Sequence, residues 1–177
     1  LEAVAGAYRQ SPTRNIVVMG KWNAMFEDLD MKITCAPSTE FHRLRICHQA
    51  MFVPKKVYES MGTYDTGYRY SADLDLVLRL YVNKVAFLFL DREVVNFRTS
   101  GASGRYYRKT GREQSITIRK HLPYRTYLLF RLLRLKFEAL SWLAESMERL
   151  MGKRLSASLR RAYYSLTAGQ ASRRGGS

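Results

Sequence analysis

The chain has 177 residues, of which 46% are hydrophobic and 12% aromatic, and this composition excludes an intrinsically disordered protein. It contains no run of 18 uninterrupted apolar residues and no visible secretory signal, so no simple transmembrane helix is predicted. Its net charge of +15 is divided unevenly, with +2 in residues 1–104 and +13 in residues 105–177. The C-terminal part therefore predicts an anionic neighbour, either a membrane surface or a nucleic acid.

The first third of the chain predicts short elements of both kinds. Residues 1–11 indicate the end of a helix, and residues 15–20 (NIVVMG) indicate a short apolar strand. A strand and a loop are predicted within residues 21–41. Residues 45–54 (RICHQAMFVP) alternate with a period of two, which predicts another strand.

The middle third predicts a second helical region and two further strands. Pro54 begins a short helix that Gly62 can end, and a turn follows. Ser71 is a suitable N-cap for a helix over residues 71–82. After this helix we expect a buried strand at 85–90, a second strand at 94–98 and a small polar loop at 99–104.

From Pro123 onward the sequence predicts a helix with one narrow polar stripe. The residues of this stripe recur at helical spacing, and they are Arg131, Arg134, Glu138, Ser141, Glu145 and Glu148. Most of the remaining surface is apolar and must be covered. The rest of the protein could cover it, or the helix could lie in a membrane interface, which Trp142 and the flanking Lys and Arg residues suit.

Two carboxylates, Asp73 and Asp75, lie in the first turn of the predicted 71–82 helix, where the helix dipole favours each by about 0.3–1 kcal/mol. Asp75 has Arg79 four residues later, a spacing that predicts an ion pair. Asp73 has Val77 at that spacing, so its side chain is predicted to point along the apolar face, where an unpaired carboxylate is costly. Asp73 is therefore the candidate general base, and Asp75 the structural carboxylate.

Four segments in this order resemble a known family: ICHQAMFV, YESMGTYD, YRYSADLDLVLRL and FLDREVVNFRTSGAS. They are similar to the C-terminal half of family 2 glycosyltransferases with a GT-A fold, the bacterial enzymes that build cell-surface polysaccharides. The resemblance spans residues 46–103. It implies an α/β fold, the C-terminal half of a GT-A (nucleotide-diphospho-sugar transferase) fold, with a mixed sheet and helices. We therefore expect an acceptor-side domain over residues 1–121 and a basic amphipathic helical extension over residues 122–177 with a disordered end.

The resemblance also implies an activity. It predicts an inverting transfer of a sugar from a nucleotide-sugar donor to a hydroxyl of a glycan or glycolipid acceptor. Asp73 matches the family's general base, although Ala72 stands where many members carry a glutamate. The substrate-binding residues that it suggests are His48, Gln49, Asp75, Arg98, Ser103 and Arg105. For His48, a role as a satisfied core residue stays open beside the role in the cleft.

A divalent cation, Mg or Mn, is expected from the resemblance, because in this family it stabilises the leaving diphosphate. Its ligands belong to a DxD-like motif that ends the N-terminal, donor-binding half. We expect that half to lie outside this chain, which begins at Leu1. Asp28 and Asp30 do spell a DxD, but they come too late in the order of elements and indicate a solvated turn. No metal ligand is therefore predicted among these residues.

Two other functions compete with the enzyme. Residues 105–121 mix aromatic and basic side chains, as nucleic-acid-binding proteins do, but residues 1–104 are nearly neutral, so nucleic acid is not the expected partner. The other is a non-catalytic module that docks on membranes. Cys35 and Cys47 lack the spacing of a metal site, and the cytoplasm is the expected compartment. We expect peripheral contact with the inner face of the cytoplasmic membrane through residues 122–165.

Overall fold

The computed structural model describes residues 2–11, 15–44, 46–99, 106–151, 158 and 161. These residues form a mixed α/β structure with four strands and five α-helices. The helices are α1 (Glu2–Gln10), α2 (Lys55–Met61), α3 (Ala72–Val82), α4 (Tyr107–His121) and α5 (Tyr124–Met151). The strands are β1 (Ile16–Phe26), β2 (Met31–Cys35), β3 (Met51–Phe52) and β4 (Ala86–Arg98).

The sheet is organised around β1, and it is mixed, as predicted. β4 pairs with β1 in parallel along most of its length, from Ile16 to Met25. β2 and β3 both run antiparallel to β1, β2 along residues 22–26 and β3 along residues 18–19. Because a strand has only two edges, β2 and β3 share the edge of β1 that β4 leaves open. Among the described strands, β4 is therefore paired on one side only.

Helices cover both faces of the sheet. Successive side chains of a strand point to opposite faces, and β1 uses both. Ile16 and Val18 pack against Val4 and Ala7 of α1. Val17 and Met19 pack on the other face, in a cluster with Leu76 and Leu80 of α3 and Val57 of α2. This arrangement buries one side of α3 against the sheet and so determines where its first turn lies.

The segment just before α3 is held by a residue of α4. Ser71 stands at the N-cap position, as predicted, but its fully buried hydroxyl makes no hydrogen bond to any described residue. Instead, the carboxylate of Glu113 accepts hydrogen bonds from the backbone N–H groups of Arg69, Tyr70 and Ser71, at 3.3, 2.7 and 3.1 Å. The first turn of α3 is thus anchored by a tertiary contact as well as by local sequence.

The predicted strand over residues 45–54 is wrong for most of its length. Residues His48–Ala50 form a 3-10 turn, in which the N–H of Ala50 donates to the carbonyl of Cys47. Only Met51 and Phe52 pair with β1. The apolar alternation of this segment reflects a turn that buries Cys47 and Ala50 while His48 and Gln49 stay exposed.

The two strands predicted at 85–90 and 94–98 are one strand, β4, and the first part is not buried. The register between β4 and β1 shifts beside Gly20 and Lys21, so the pairing continues through an irregularity rather than a break. Gly20 is required there because a Cβ atom would lie 2.6 Å from the side chain of Val94. Leu88 and Phe89 are exposed, because β4 lies at an edge of the sheet and is covered incompletely.

The predicted C-terminal helix is present as α5, which follows α4 after the short link at Leu122 and Pro123. α5 packs against α4 and against the 3-10 turn of residues 41–43. Phe130 of α5 joins Phe41, Ile118 and Leu78 in one buried cluster. In the part of the chain that the structure describes, no helix combines the length and the apolar character needed to cross a membrane.

Candidate functional site

His48 and Asp73 meet at the N-terminal end of α3. The Nδ1 atom of His48 lies 2.8 Å from Oδ2 of Asp73, although the two residues are 25 positions apart in the chain. Both side chains are partly open to solvent, with 43% of His48 and 35% of Asp73 exposed. The second carboxylate oxygen of Asp73 accepts a hydrogen bond from the N–H of Leu74 at 2.8 Å. We call this arrangement the His48–Asp73 pair.

The charge of Asp73 changes the protonation of its partner. The hydrogen bond to Asp73 raises the pKa of His48 above its ordinary value of 6.5, while partial burial opposes this shift. A protonated His48 can only donate at Nδ1, and an ionised carboxylate can only accept, so Nδ1–H donates to Asp73 Oδ2. The bond therefore holds one carboxylate oxygen of Asp73 in a defined orientation.

Sequence analysis missed an aromatic neighbour of this pair. Burial, a hydrogen bond with Tyr58 and the nearby negative charge of Asp73 together raise the pKa of Tyr64 to about 12. The rings of Tyr58 and Tyr64 have their centroids 6.3 Å apart. Tyr64 thus adds an apolar ring and a hydroxyl group in the neighbourhood of Asp73. The only sequence signal was the position of Tyr64 in the turn that leads to α3.

Asp75 lies in a different environment, and only 1% of its side chain is exposed. Its Oδ2 accepts from Arg79 Nε at 2.8 Å, which confirms the predicted i,i+4 pair. Its Oδ1 is 2.8 Å from Nε2 of His121 and 3.3 Å from Nζ of Lys120. Burial alone would raise the pKa of Asp75, but the bonds from His121 and Arg79 and the charge of Lys120 lower it below its ordinary value. We call these four residues the Asp75 cluster.

These positions correct the prediction of which carboxylate faces the apolar side of α3. Asp73 was expected there, but it lies outside the packed face and has His48 as a partner. Asp75 is the buried carboxylate, beside Leu74 and Leu76. Both of its oxygens are engaged by side chains of the protein, so it has no open surface at which to contact a substrate. The prediction failed because the partners of Asp75 come from α4, more than 40 residues away.

The other predicted binding residues are not gathered around the His48–Asp73 pair by any contact among the described residues. Gln49 is exposed next to His48 and accepts a hydrogen bond from the thiol of Cys47 at 3.1 Å. Arg98 ends β4, and its Nε lies 3.2 Å from a carboxylate oxygen of Glu27. Ser103 and Arg105, with most of the predicted 99–104 loop, lie outside the described residues.

No metal centre can be built from these side chains. Among the described residues, no group of three or more His, Cys, Asp or Glu side chains is placed to hold a metal ion. Asp30 is exposed, has a left-handed backbone conformation and follows a 3-10 turn of residues Glu27–Leu29. The side chain of Asp28 is outside the described residues. The residues present do not fit the expected divalent cation, and we assign it no step.

The site therefore places an exposed carboxylate against a histidine that orients it, with Tyr64 nearby. Its residues come from three separate elements: the 3-10 turn at 48–50, the end of α2 with the turn after it, and the start of α3. No protein-family model, no curated protein and no solved structure matches this chain.

Proposed function

We propose that this chain forms the acceptor side of an inverting, family 2-like glycosyltransferase with a GT-A fold, and that Asp73 is its general base. One observation carries the proposal. His48 and Asp73, each singled out from the sequence through the resemblance, lie within hydrogen-bonding distance of each other and remain open to solvent. The mixed α/β sandwich, with α3 packed behind β1, is compatible with a GT-A fold.

The geometry of Asp73 suits proton abstraction from a hydroxyl. An ionised carboxylate offers about four lone-pair sites, and the described donors, His48 and the N–H of Leu74, use one on each oxygen. An acceptor hydroxyl could therefore donate to a remaining site. As its oxygen forms a bond to the anomeric carbon of the sugar, the bond from that carbon to the nucleoside diphosphate breaks and the hydroxyl proton moves to Asp73.

His48 acts in this proposal as a positioning residue. Its Nδ1–H fixes one carboxylate oxygen, and its raised pKa reflects the preference for a protonated imidazole beside an ionised Asp73. When Asp73 takes up the acceptor proton, the favourable pairing with a protonated His48 weakens. Loss of His48 should therefore misplace and destabilise the base without removing it. Gln49, Arg98, Ser103 and Arg105 stay proposed substrate contacts, whereas the buried Asp75 does not.

The test compares matched substitutions in the full-length protein. Asp73→Asn removes the base but keeps the shape of the side chain, and turnover should fall by about 10²–10⁴-fold, the usual contribution of a general base. His48→Gln should lower turnover less. Asp91→Asn is the control, because Asp91 is an exposed carboxylate on β4 that pairs with Lys21.

The measurement is release of nucleoside diphosphate from a panel of UDP-, GDP- and dTDP-hexoses in the presence of membrane glycolipids. Binding of the same nucleotide sugars should be unchanged in Asp73→Asn, because the acceptor side is altered and not the donor side. Wild-type turnover by Asp73→Asn would exclude Asp73 as the base. Failure of the wild-type protein to turn over any donor in the panel would count against the proposed activity itself.

A further inference from the structure

α5 presents a continuous apolar stripe to solvent. Its members follow helical spacings of 4, 4, 3, 4 and 3, so they line one side of the helix, and all are exposed: Tyr124, Leu128, Leu132, Leu135, Ala139 and Trp142. We call them the outer stripe. Leu132 and Trp142 are the most exposed large apolar residues of the helix, at 63% and 64%. Exposed apolar surface that is continuous along a helix marks an interaction site rather than ordinary surface.

The opposite side of α5 faces the body of the protein, and it carries polar as well as apolar residues. Phe130 is buried there, and Arg134 is only 13% exposed, with its Nε 2.9 Å from a carboxylate oxygen of Glu138. The guanidinium of Arg134 lies so close to Gly111 of α4 that a Cβ atom at that position would be 2.4 Å from it. A surface helix normally turns its apolar side inward. The outer stripe lies on the other side from Phe130, so its leucines are not accounted for by the protein core.

Positive charge surrounds the outer stripe. Arg125, Arg131 and Lys136 are exposed on α5, and residues 105–177 together carry a net charge of +13. Glu138 is the one acidic residue of α5 whose side chain the structure describes, and it is paired with Arg134 on the inner side. A partner that binds this surface must therefore offer an apolar region to the outer stripe and negative charge to the surrounding arginines and lysine. A second copy of this chain would instead bring a like charge against it.

We propose that α5 docks the protein on an anionic lipid bilayer. The outer stripe enters the boundary between headgroups and acyl chains, and the exposed arginines and lysine lie at the level of the lipid phosphates. Trp142 and Tyr124, near opposite ends of the stripe, are the residue types that favour this boundary. The proposal concerns a surface separate from the His48–Asp73 pair and does not depend on the proposed transfer reaction.

The first test is co-sedimentation of the full chain with vesicles of phosphatidylcholine containing about 30 mol% phosphatidylglycerol, at about 0.15 M salt. The wild-type chain should bind, and pure phosphatidylcholine vesicles should bind it more weakly. The double variant Leu132→Glu, Trp142→Glu should lower the partition coefficient by about tenfold or more, because it places two carboxylates in the apolar boundary.

Leu88→Glu is the matched control. Leu88 is also exposed, but it follows Phe87, which packs with the cluster that contains Phe130, so the alternation of β4 directs Leu88 to the other face of the sheet. This variant should bind vesicles as the wild type does. Both substitutions on α5 are at exposed positions, so we expect the variants to fold. Circular dichroism and thermal melting of each variant check this.

A second measurement reports the depth of α5 directly. The chain has two tryptophans, of which Trp22 is buried and Trp142 exposed. Vesicles should shift the fluorescence of the wild-type chain to shorter wavelength, and Trp142→Phe should abolish the shift while binding persists. Unchanged vesicle binding by the double glutamate variant would overturn the proposal. So would a dimer in solution that the same variant converts to a monomer without loss of vesicle binding, because the stripe would then be a contact between copies of the chain.

Discussion

Asp73 and Asp75 are two residues apart on α3, yet they belong to two regions with opposite properties. The His48–Asp73 pair is open, with one side-chain partner and one backbone partner for its carboxylate. The Asp75 cluster is closed, with three side-chain partners for a carboxylate that is 1% exposed. Residues two positions apart on a helix point about 200° away from each other, so one carboxylate faces the turn at His48 and the other faces α4. The comparison shows that neighbouring residues of the same type can differ sharply in exposure and in the number of their partners.

The largest effect on stability is expected for Asp75→Asn. This change removes the negative charge between Arg79, Lys120 and His121 and replaces one of the two acceptor oxygens by an NH2 group, which cannot accept from them. We expect the free energy of unfolding to fall by about 3 kcal/mol, as when one partner of a buried ion pair is removed. Urea denaturation followed by circular dichroism measures it. Asp73→Asn, the matched change at the open site, should cost less than about 1 kcal/mol. Equal losses in the two variants would abolish the distinction between the regions.

A smaller effect on stability is expected from a change of pH. The Asp75 cluster should lose stability as the pH falls, and the His48–Asp73 pair as the pH rises. The pKa of Asp75 is lowered from 3.8, so its contribution is present above that value and is lost as the pH falls through the folded pKa. The pKa of His48 is raised from 6.5, so its contribution is complete below 6.5 and is lost as the pH rises through the folded pKa. Thermal melting of the wild type, Asp75→Asn and His48→Gln, from below pH 3.8 to above pH 6.5, separates the contribution of Asp75 from that of His48. His48→Gln should remove only the loss on the alkaline side.

The smallest and most specific expected effect is a change in the pKa of His48. NMR of the imidazole should give a pKa above 6.5 in the wild type, and Asp73→Asn should return it toward that value. Asp75→Asn should leave it raised, provided that the spectrum shows a folded protein. A His48 titration that is insensitive to Asp73→Asn would mean that the contact between the two side chains is not made in solution.

Local pattern was sufficient to predict much of the helical structure. The start of α2 after Pro54, its end at Gly62, the extent of α3 and the bond from Arg79 to Asp75 all depend on residues within a few positions of each other. Each was predicted correctly. The mixed α/β class also followed from the order of apolar runs and helical patterns.

What failed depends on contacts between distant parts of the chain. The apolar alternation around His48 could not distinguish a strand from a 3-10 turn, because only the position of β1 determines how many residues pair with it. Likewise, the burial of Asp75 follows from Lys120 and His121 of α4, which lie 45 and 46 positions away from it in the chain. A carboxylate next to leucines can be buried only where such donors arrive, and a helical pattern does not reveal them.

The one-sided pairing of β4 has a practical consequence for handling the protein. On the side away from β1, residues 86–90 pair with no other strand among the described residues, and Leu88 and Phe89 are exposed. This combination invites strand addition between molecules and hence aggregation. The next three residues, Asp91, Arg92 and Glu93, are exposed and charged. Such residues act as gatekeepers against self-association. Intermolecular strand pairing should therefore start in the first five residues of β4 and stop at Asp91.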